Sequence, residues 1–355
     1  MTAPIPSTQQ GAVVLNPGPN YRIIHRDDLP VPQPGDHEVL VKLRCTGLCH
    51  SEIRATSGWS NYNAIIGHEG IGTVVQTGSL APRSFLSARV GVKWLYSACT
   101  HCSVCTSGHP HYCPHQRNTS RHVPGTLQQY VLADARFLTP IPETVADEVA
   151  APLLCAGLTM AGALDRLDGV LQPGGSVVIS GSGGGLGHLG VQIAARVKKW
   201  RVLAVDSGEE KRRLSLEAGA AAFVDFRAED VVARVRELTH GEGAQATVVV
   251  PGDPAAFRVA ADLVRNLGTV VCVGLPRNDF ELPVSATLCA ARGISIVGSS
   301  VGTEQQMAEL LRLAAEGVIT PAVKCYGFDE TAKLIRDLEE DAITGRAVVR
   351  IPEGE

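Results

Sequence analysis

The chain has 355 residues, 45% of them hydrophobic and 19% charged, which is enough apolar material for about two domains with their own cores and excludes a disordered chain. Its formal charge of −4, from 32 basic and 36 acidic residues, lacks the basic excess of a nucleic-acid binder. Ten cysteines in a chain of this length are too few for a disulfide scaffold, and four of them crowd between Cys99 and Cys113.

Along the chain, the N-terminal segment MTAPIPSTQQGAVV has no basic stretch followed by an apolar one, and no Arg-rich amphipathic pattern. The most apolar long stretch, 146–164, carries Asp147, Glu148 and Pro152 and falls short of the roughly 20 apolar residues of a membrane span. The chain therefore reads as soluble and cytoplasmic, with its cysteines reduced, buried or bound to metal and with neither nucleic acid nor membrane as a partner.

Strands are expected at 39–43, 70–76 and 90–95, and prolines at 30, 32 and 34 exclude a helix there. From about residue 155 the character changes. Apolar runs at 176–180, 201–206, 222–225, 246–250, 269–273 and 294–297 alternate with helical patterns at 186–199, 209–218, 229–238 and 255–265. Continuous apolar runs mark strands buried on both faces, so this region predicts a doubly wound parallel sheet. Helices at 304–316 and 329–340 and a strand at 347–351 follow and return to the first domain, which makes the sheet an insertion.

Ser180 to Gly187 reads SGSGGGLG between a predicted strand and a predicted helix. Glycine is needed where backbone turns sharply and then approaches a pyrophosphate held at a helix N-terminus. Gly181, Gly183, Gly184, Gly185, Leu186 and Gly187 are the candidate phosphate-facing residues. Asp206 ends the next strand, 19 residues beyond Gly187. A carboxylate there accepts from ribose hydroxyls and repels a 2′-phosphate, which favours NAD over NADP.

Cys99, Cys102, Cys105 and Cys113 have the spacing C-x2-C-x2-C-x7-C in a polar loop. Four thiolates fill a tetrahedral zinc shell and leave no place for substrate, so this ion is structural. An iron–sulfur cluster is the rival occupant. His101, His109 and His111 are expected at the surface and not as ligands.

Cys49 in GLCHSE, His68 in GHEGIG and Cys155 in PLLCAGLT carry, with the cysteine loop, KWLYSAC, the glycine turn, Asp206, ISIVGS at 294–299 and GRAVV at 345–349, a resemblance that runs through nearly the whole chain. The sequence resembles the zinc-dependent alcohol dehydrogenases of the medium-chain dehydrogenase/reductase superfamily, most of all the tetrameric microbial type. The resemblance implies a Rossmann domain (156–295) inserted in a GroES-like catalytic domain (1–155 and 296–355), with the reaction in the cleft between them.

It also implies roles. Cys49, His68 and Cys155 bind a catalytic zinc, the family's own ligand set, so that each chain holds two zinc ions. Glu69 is a carboxylate that approaches this metal during ligand exchange. Glu52, where the family usually has Asp, orients the zinc-bound histidine. Ser51 receives the alcohol proton. His50 and Arg346 face the pyrophosphate, and Lys211 lies near the adenosine ribose. Zinc as a Lewis acid eases loss of the alcohol proton, and NAD accepts the hydride.

Two departures bear on function. The family's proton relay commonly ends at a histidine where this chain has Arg54, whose pKa above ~12 prevents proton release. The relay is expected to end at water or directly from Ser51. The loop from Gly58 to Gly67 is shorter than in ethanol-type relatives, with Trp59, Trp94 and Leu275 as candidate pocket residues. A wider mouth predicts a small-molecule alcohol or aldehyde bulkier than ethanol. The alternatives are a specialised biosynthetic carbonyl or enal reductase, and a non-catalytic cofactor-binding relative. A homo-oligomer, tetramer or dimer, is what the resemblance suggests.

Overall fold

The structure, a computed structural model, describes residues 4–354. Residues 1–3 of the N-terminal segment and residue 355 lie outside the described residues. The strands in chain order are β1 (Thr8–Leu15), β2 (Arg22–Pro30), β3 (Glu38–Gly47), β4 (Gly70–Thr77), β5 (Arg89–Val92), β6 (Leu95–Ser97), β7 (Arg117–Asn118), β8 (Tyr130–Asp134) and β9 (Thr139–Pro140). They continue with β10 (Ser176–Ser180), β11 (Arg201–Asp206), β12 (Ala222–Asp225), β13 (Ala244–Val249), β14 (Val264–Cys272), β15 (Ser295–Gly298), β16 (Val323–Tyr326) and β17 (Arg346–Arg350).

The chain divides into two compact units. One comprises Met1–Cys155, Thr303–Ala315 and Pro321–Glu355; the other comprises Ala156–Gly302 and Glu316–Thr320. In the first unit a seven-stranded sheet has the order β16-β17-β3-β4-β5-β9, with β8 paired to β3. The β3–β4 ladder slips register twice, at Leu40/Val41 and Leu43/Cys45, and such bulges bend the sheet. Val39, Val41, Leu43, Val74, Val90 and Val349 fill its core.

The strand expected at 90–95 breaks in two, because Lys93 points its ammonium inward and Thr119 takes over the backbone pairing. The Thr119 hydroxyl donates to the Lys93 carbonyl (2.7 Å), and the Thr119 N–H donates to the Trp94 carbonyl (2.9 Å). The β1–β2 hairpin was not among the expected strands, since most of β2 is exposed and lacks an apolar run.

The second unit holds a six-stranded sheet of order β12-β11-β10-β13-β14-β15, every pair parallel. This is the doubly wound order with its switch point between β10 and β13. Val177, Val178 and Ile179 are fully buried, as the continuous apolar runs require. The helix expected at 229–238 starts at Val231, because the Asp230 carboxylate caps it by accepting from Val232 N and Ala233 N.

Among the described residues one helix, Asp147–Asp165, is long and apolar enough to cross a membrane, and 78% of its most apolar window is buried inside the fold. It contains one π turn, Leu153–Gly157.

Candidate functional site

The four-cysteine loop folds as a compact lobe of the first unit. Cys102 precedes the short helix Ser103–Thr106, and the 3-10 turn Pro110–Tyr112 brings Cys113 back beneath it. Sulfur separations are 3.9 Å for Cys99–Cys105, 3.8 Å for Cys102–Cys113 and 3.6 Å for Cys99–Cys113. A tetrahedron with metal–sulfur bonds of ~2.3 Å has edges of about 3.8 Å, so the donors are already spaced for one zinc.

Backbone N–H groups of Cys102 and His101 hold the Cys99 thiol down to about 6, toward the thiolate that a metal requires. The sulfurs rest on Leu95, Ala98 and Phe137. No histidine joins them. His101 and His109 are exposed as expected, but His111 is buried, packed 4.3 Å from the Tyr112 ring, and its imidazole is pushed down to about 4 by that burial.

The second group gathers residues far apart in sequence. Cys49 ends the segment before the helix Ser51–Thr56, His68 and Glu69 lead into β4, and Cys155 sits in the π turn. A π turn carries one extra residue and re-aims the side chains within it, a device common at functional sites. One ligand atom from each of Cys49, His68, Glu69 and Cys155 lies within 4.8 Å of the others, and all four residues are buried. The two sulfurs are 3.8 Å apart, again one tetrahedral edge, and Nε2 of His68 lies 3.2 Å from the Cys155 sulfur.

Glu69 differs from the other three. Nη2 of Arg346 donates to both of its oxygens at 2.5 Å. A Cβ on Gly47 would run into this carboxylate, so glycine there is a packing requirement. Burial pushes the Glu69 carboxyl up to about 7 against the pull of Arg346. With Glu69 engaged, the donor set that fits a metal is two thiolates and one imidazole, the composition of an open zinc site. Arg346 is thus found beside this cluster in the interior.

Glu52 lies immediately behind the cluster. Its Oε1 is 2.9 Å from Nδ1 of His68, an ion pair more than an aligned hydrogen bond, and its Oε2 accepts from the Cys49 N–H at 2.7 Å. Burial alone would lower the His68 pKa; the Glu52 carboxylate and the Cys49 sulfur outweigh it and hold it well above the ordinary value. The Cys49 thiol is shifted well down, first by the Cys155 thiol that hydrogen-bonds its sulfur and then by His68, while Cys155 is shifted up.

The Ser51 hydroxyl is buried and has no hydrogen-bond partner, a donor waiting for one. Trp94 stands edge-on to His68 with ring centroids 5.2 Å apart, and Tyr62 packs 6.2 Å from Trp94. Tyr62, a lone tyrosine in a polar loop, carries no signal in the sequence. Trp59 is 41% exposed, with the Arg54 guanidinium 5.8 Å over its ring. His50 is exposed at the start of the helix that bears Ser51.

The second unit brings the glycine turn and Asp206 together. Gly181 has φ +75°, a left-handed conformation, and a Cβ on Gly187 would strike the Gly181 carbonyl. A Cβ on Gly184 would meet no atom closer than 3.4 Å, so the face of the turn stays clear. The Gly183 N–H donates to Oδ2 of Asp206 at 2.9 Å, and the Ser207 N–H donates to Oδ1 at 2.9 Å. Nζ of Lys211 is 3.6 Å from Oδ1 of Asp206. Gly185 and Leu186 are half-buried in the same turn, and Leu275 is 65% exposed after β14.

Residues 35–143 match the alcohol dehydrogenase GroES-like domain, and residues 185–316 match the zinc-binding dehydrogenase family. Alcohol dehydrogenase 2 of Emericella nidulans is 38% identical, covering 98% of this chain and 99% of its own. The chain belongs to the zinc-binding alcohol dehydrogenases. The alcohol dehydrogenase of Schizosaccharomyces pombe is 37% identical over 97% of this chain and 98% of its own.

Among solved structures of this family's fold, the alcohol dehydrogenase of the archaeon Aeropyrum pernix superposes with a TM-score of 0.87 at 27% identity, covering 96% of this chain and 100% of that one. The acetophenone reductase of Geotrichum candidum, solved in complex with NAD, superposes with a TM-score of 0.85 at 27% identity over 98% of each chain. The four-cysteine group, the Cys49–His68–Cys155 group and the glycine turn thus lie in a chain of the zinc-binding alcohol dehydrogenase family.

Proposed function

We propose that the protein is an NAD-dependent alcohol dehydrogenase with one catalytic and one structural zinc per chain. The observation that carries this is the buried Cys49–His68–Cys155 donor set beside a Glu69 already held by Arg346, which leaves one metal position for substrate oxygen. The first unit is the catalytic domain and the second the cofactor domain, with the sequence-derived boundaries 1–155, 296–355 and 156–295 as the proposed division.

When bound at this donor set, zinc supplies Lewis-acid polarisation of the alcohol or carbonyl oxygen. The chain's residues supply the rest. Glu52 fixes the orientation of His68 and the Cys49 backbone, and Arg346 keeps Glu69 in reserve. Ser51 takes the alcohol proton on its hydroxyl oxygen and passes it to water, since Arg54 cannot accept and release it. Gly181 to Gly187 hold the pyrophosphate, for which His50 is the proposed basic partner, and Asp206 with Lys211 holds the adenosine ribose. Such placement of cofactor against substrate is the protein's main contribution to hydride transfer.

The substrate is a primary or secondary alcohol, or its aldehyde or ketone, bulkier than ethanol. The Gly58–Gly67 loop, expected to be shorter than in ethanol-type relatives, supports this, and so does similarity to a structure named acetophenone reductase. Trp94, whose ring stands edge-on to that of His68 at 5.2 Å, is the pocket residue next to the donor set, and Trp59 and Leu275 are the further proposed substrate-contacting residues. A cytoplasmic location and a dimeric or tetrameric state complete the proposal.

The test is a panel of alcohols, from ethanol to benzylic and secondary aryl alcohols, with NAD and NADP on the zinc-loaded protein. The proposal expects NAD-dependent turnover with kcat/KM rising toward the larger alcohols, abolished in Cys49→Ser. No turnover of any alcohol or carbonyl with about two zincs bound would overturn the enzyme reading, and a steady fall from ethanol upward would overturn the bulky substrate.

A further inference from the structure

Asp206 is not the only carboxylate at its end of the parallel sheet. Asp225 ends β12, the strand beside β11, and the two aspartates are register partners. Adjacent strands are about 4.8 Å apart, so the two charges share one edge of the sheet. Their connections run both ways. The Asp206 carbonyl accepts from the Phe226 N–H at 3.1 Å. In return, Oδ2 of Asp225 accepts from the Gly208 N–H at 3.2 Å, while its Oδ1 accepts from the Arg227 N–H at 2.9 Å.

Asp225 thereby ties down the residues that follow Asp206. Gly208 has φ +92° and precedes the helix Glu209–Ala218, so the turn has little rigidity of its own. Ser207 donates its N–H to Asp206, and Gly208 donates to Asp225; the two carboxylates fix successive backbone donors of one turn. The backbone N–H groups and the Ser207 hydroxyl hold the Asp225 carboxyl below its ordinary range. It is half-buried, at the same strand end as Asp206.

We infer that Asp225 is a positioning residue for the Asp206–Gly208 turn and a second negative charge that excludes the 2′-phosphate of NADP. This inference rests on the proposed NAD-binding function of the second unit. Lys211, 3.6 Å from Asp206, would otherwise draw a phosphate to this corner. Asp206 and Asp225, with the Glu229 carboxylate that accepts from the Asp225 N–H at 2.9 Å, outweigh the Lys211 ammonium and keep the balance on the side of the unphosphorylated ribose. In a water-like dielectric at about 6 Å, one unit charge acting on a phosphate dianion changes binding by roughly tenfold. Changing Asp206 alone would leave half of the barrier standing.

The test is equilibrium binding of NAD and NADP to the zinc-loaded full chain, by titration calorimetry, in the wild type and in Asp225→Asn and Asp225→Ala. The ratio of the NADP to the NAD dissociation constant should fall about tenfold in both variants, and the gain should shrink at high salt, as a charge effect must. Asn keeps an acceptor for Gly208 or Arg227 and Ala does not. NAD itself should therefore bind several-fold more weakly to Asp225→Ala than to Asp225→Asn.

An unchanged ratio in a wild type that prefers NAD overturns the inference. Equal NAD affinity in the two variants overturns the positioning role. A wild type that binds NADP more tightly overturns the NAD reading beneath it, a result distinguishable from the other two.

Discussion

Glu52 reaches His68 through its Oε1 at 2.9 Å while its Oε2 takes the backbone N–H of Cys49 at 2.7 Å, so one carboxylate sets the position of two prospective zinc ligands. It acts at one remove from the metal site, through its contacts with two of the prospective ligands. Such partners typically govern metal affinity by 10–100-fold. Glu52→Gln keeps the size and loses the charge. It should weaken retention of one of two zincs by about that factor in chelator competition, with the four-cysteine zinc unaffected. Equal retention by wild type and variant would show that Glu52 does not orient His68.

The two metal groups should separate cleanly by substitution. Cys102→Ser opens the closed sulfur shell of a lobe whose own core is only Leu95, Ala98 and Phe137, so it should lose one zinc and several degrees of Tm. Cys49→Ser should lose the other zinc and turnover, with a smaller change in Tm because its surroundings belong to the main core. Elemental analysis with thermal unfolding decides this. Loss of both metals in either variant would mean that the two groups are not independent.

Lys93 is a buried cation with defined partners. Its Nζ donates to the Phe137 carbonyl, to Oγ1 of Thr139 at 3.0 Å and to the Glu304 carboxylate at 3.0 Å. Burial lowers its pKa, and Glu304 opposes that shift. Lys93→Met strands the Phe137 carbonyl, whereas Glu304 is 47% exposed and can be solvated. The expected loss is about 2 kcal/mol, the cost of one buried unpaired acceptor and its neighbour, read from urea unfolding. A loss under about 0.5 kcal/mol would show that water replaces the ammonium. Because Lys93 precedes Trp94, the variant should also change the size preference among alcohols.

Tyr21 gives a pH signature. Burial, and then the neighbouring Glu339, raise its phenol from 10.0 to about 12. The folded state thus keeps the proton more firmly than the unfolded chain. The resulting stability is fully present below pH 10 and disappears as pH rises toward 12. Tyr21→Phe should flatten the alkaline fall of Tm in that window. Parallel curves for wild type and variant would remove Tyr21 from the account.

The four-cysteine site was legible in the sequence because all its ligands lie within 15 residues, where spacing alone limits what the chain can do. The parallel sheet was legible for a similar reason: burial on both faces writes itself into continuous apolar runs, and the observed strands follow them within a few residues. The glycine turn and Asp206 share one βαβ unit, so local order placed them together. Cys49 and Cys155, 106 positions apart, could be paired in advance only through family resemblance.

Tertiary structure decided what depends on distant, chemically ordinary partners. Arg346 meets Glu69 across 277 positions, and Lys93 meets Glu304 across 211. Tyr62 comes to Trp94, Asp225 comes to the turn after Asp206, and a π turn aims Cys155. Lys93, Tyr62 and Asp225 advertise no role, because a lone lysine, tyrosine or aspartate fits a solvated surface equally well, and the expectation for Arg346 is a pyrophosphate and not Glu69. Sequence determined the chemistry available to this protein, through residue types at short fixed spacing. The fold alone determined which charges lose their water and must find each other, because desolvation is a property of the packed chain and not of its order.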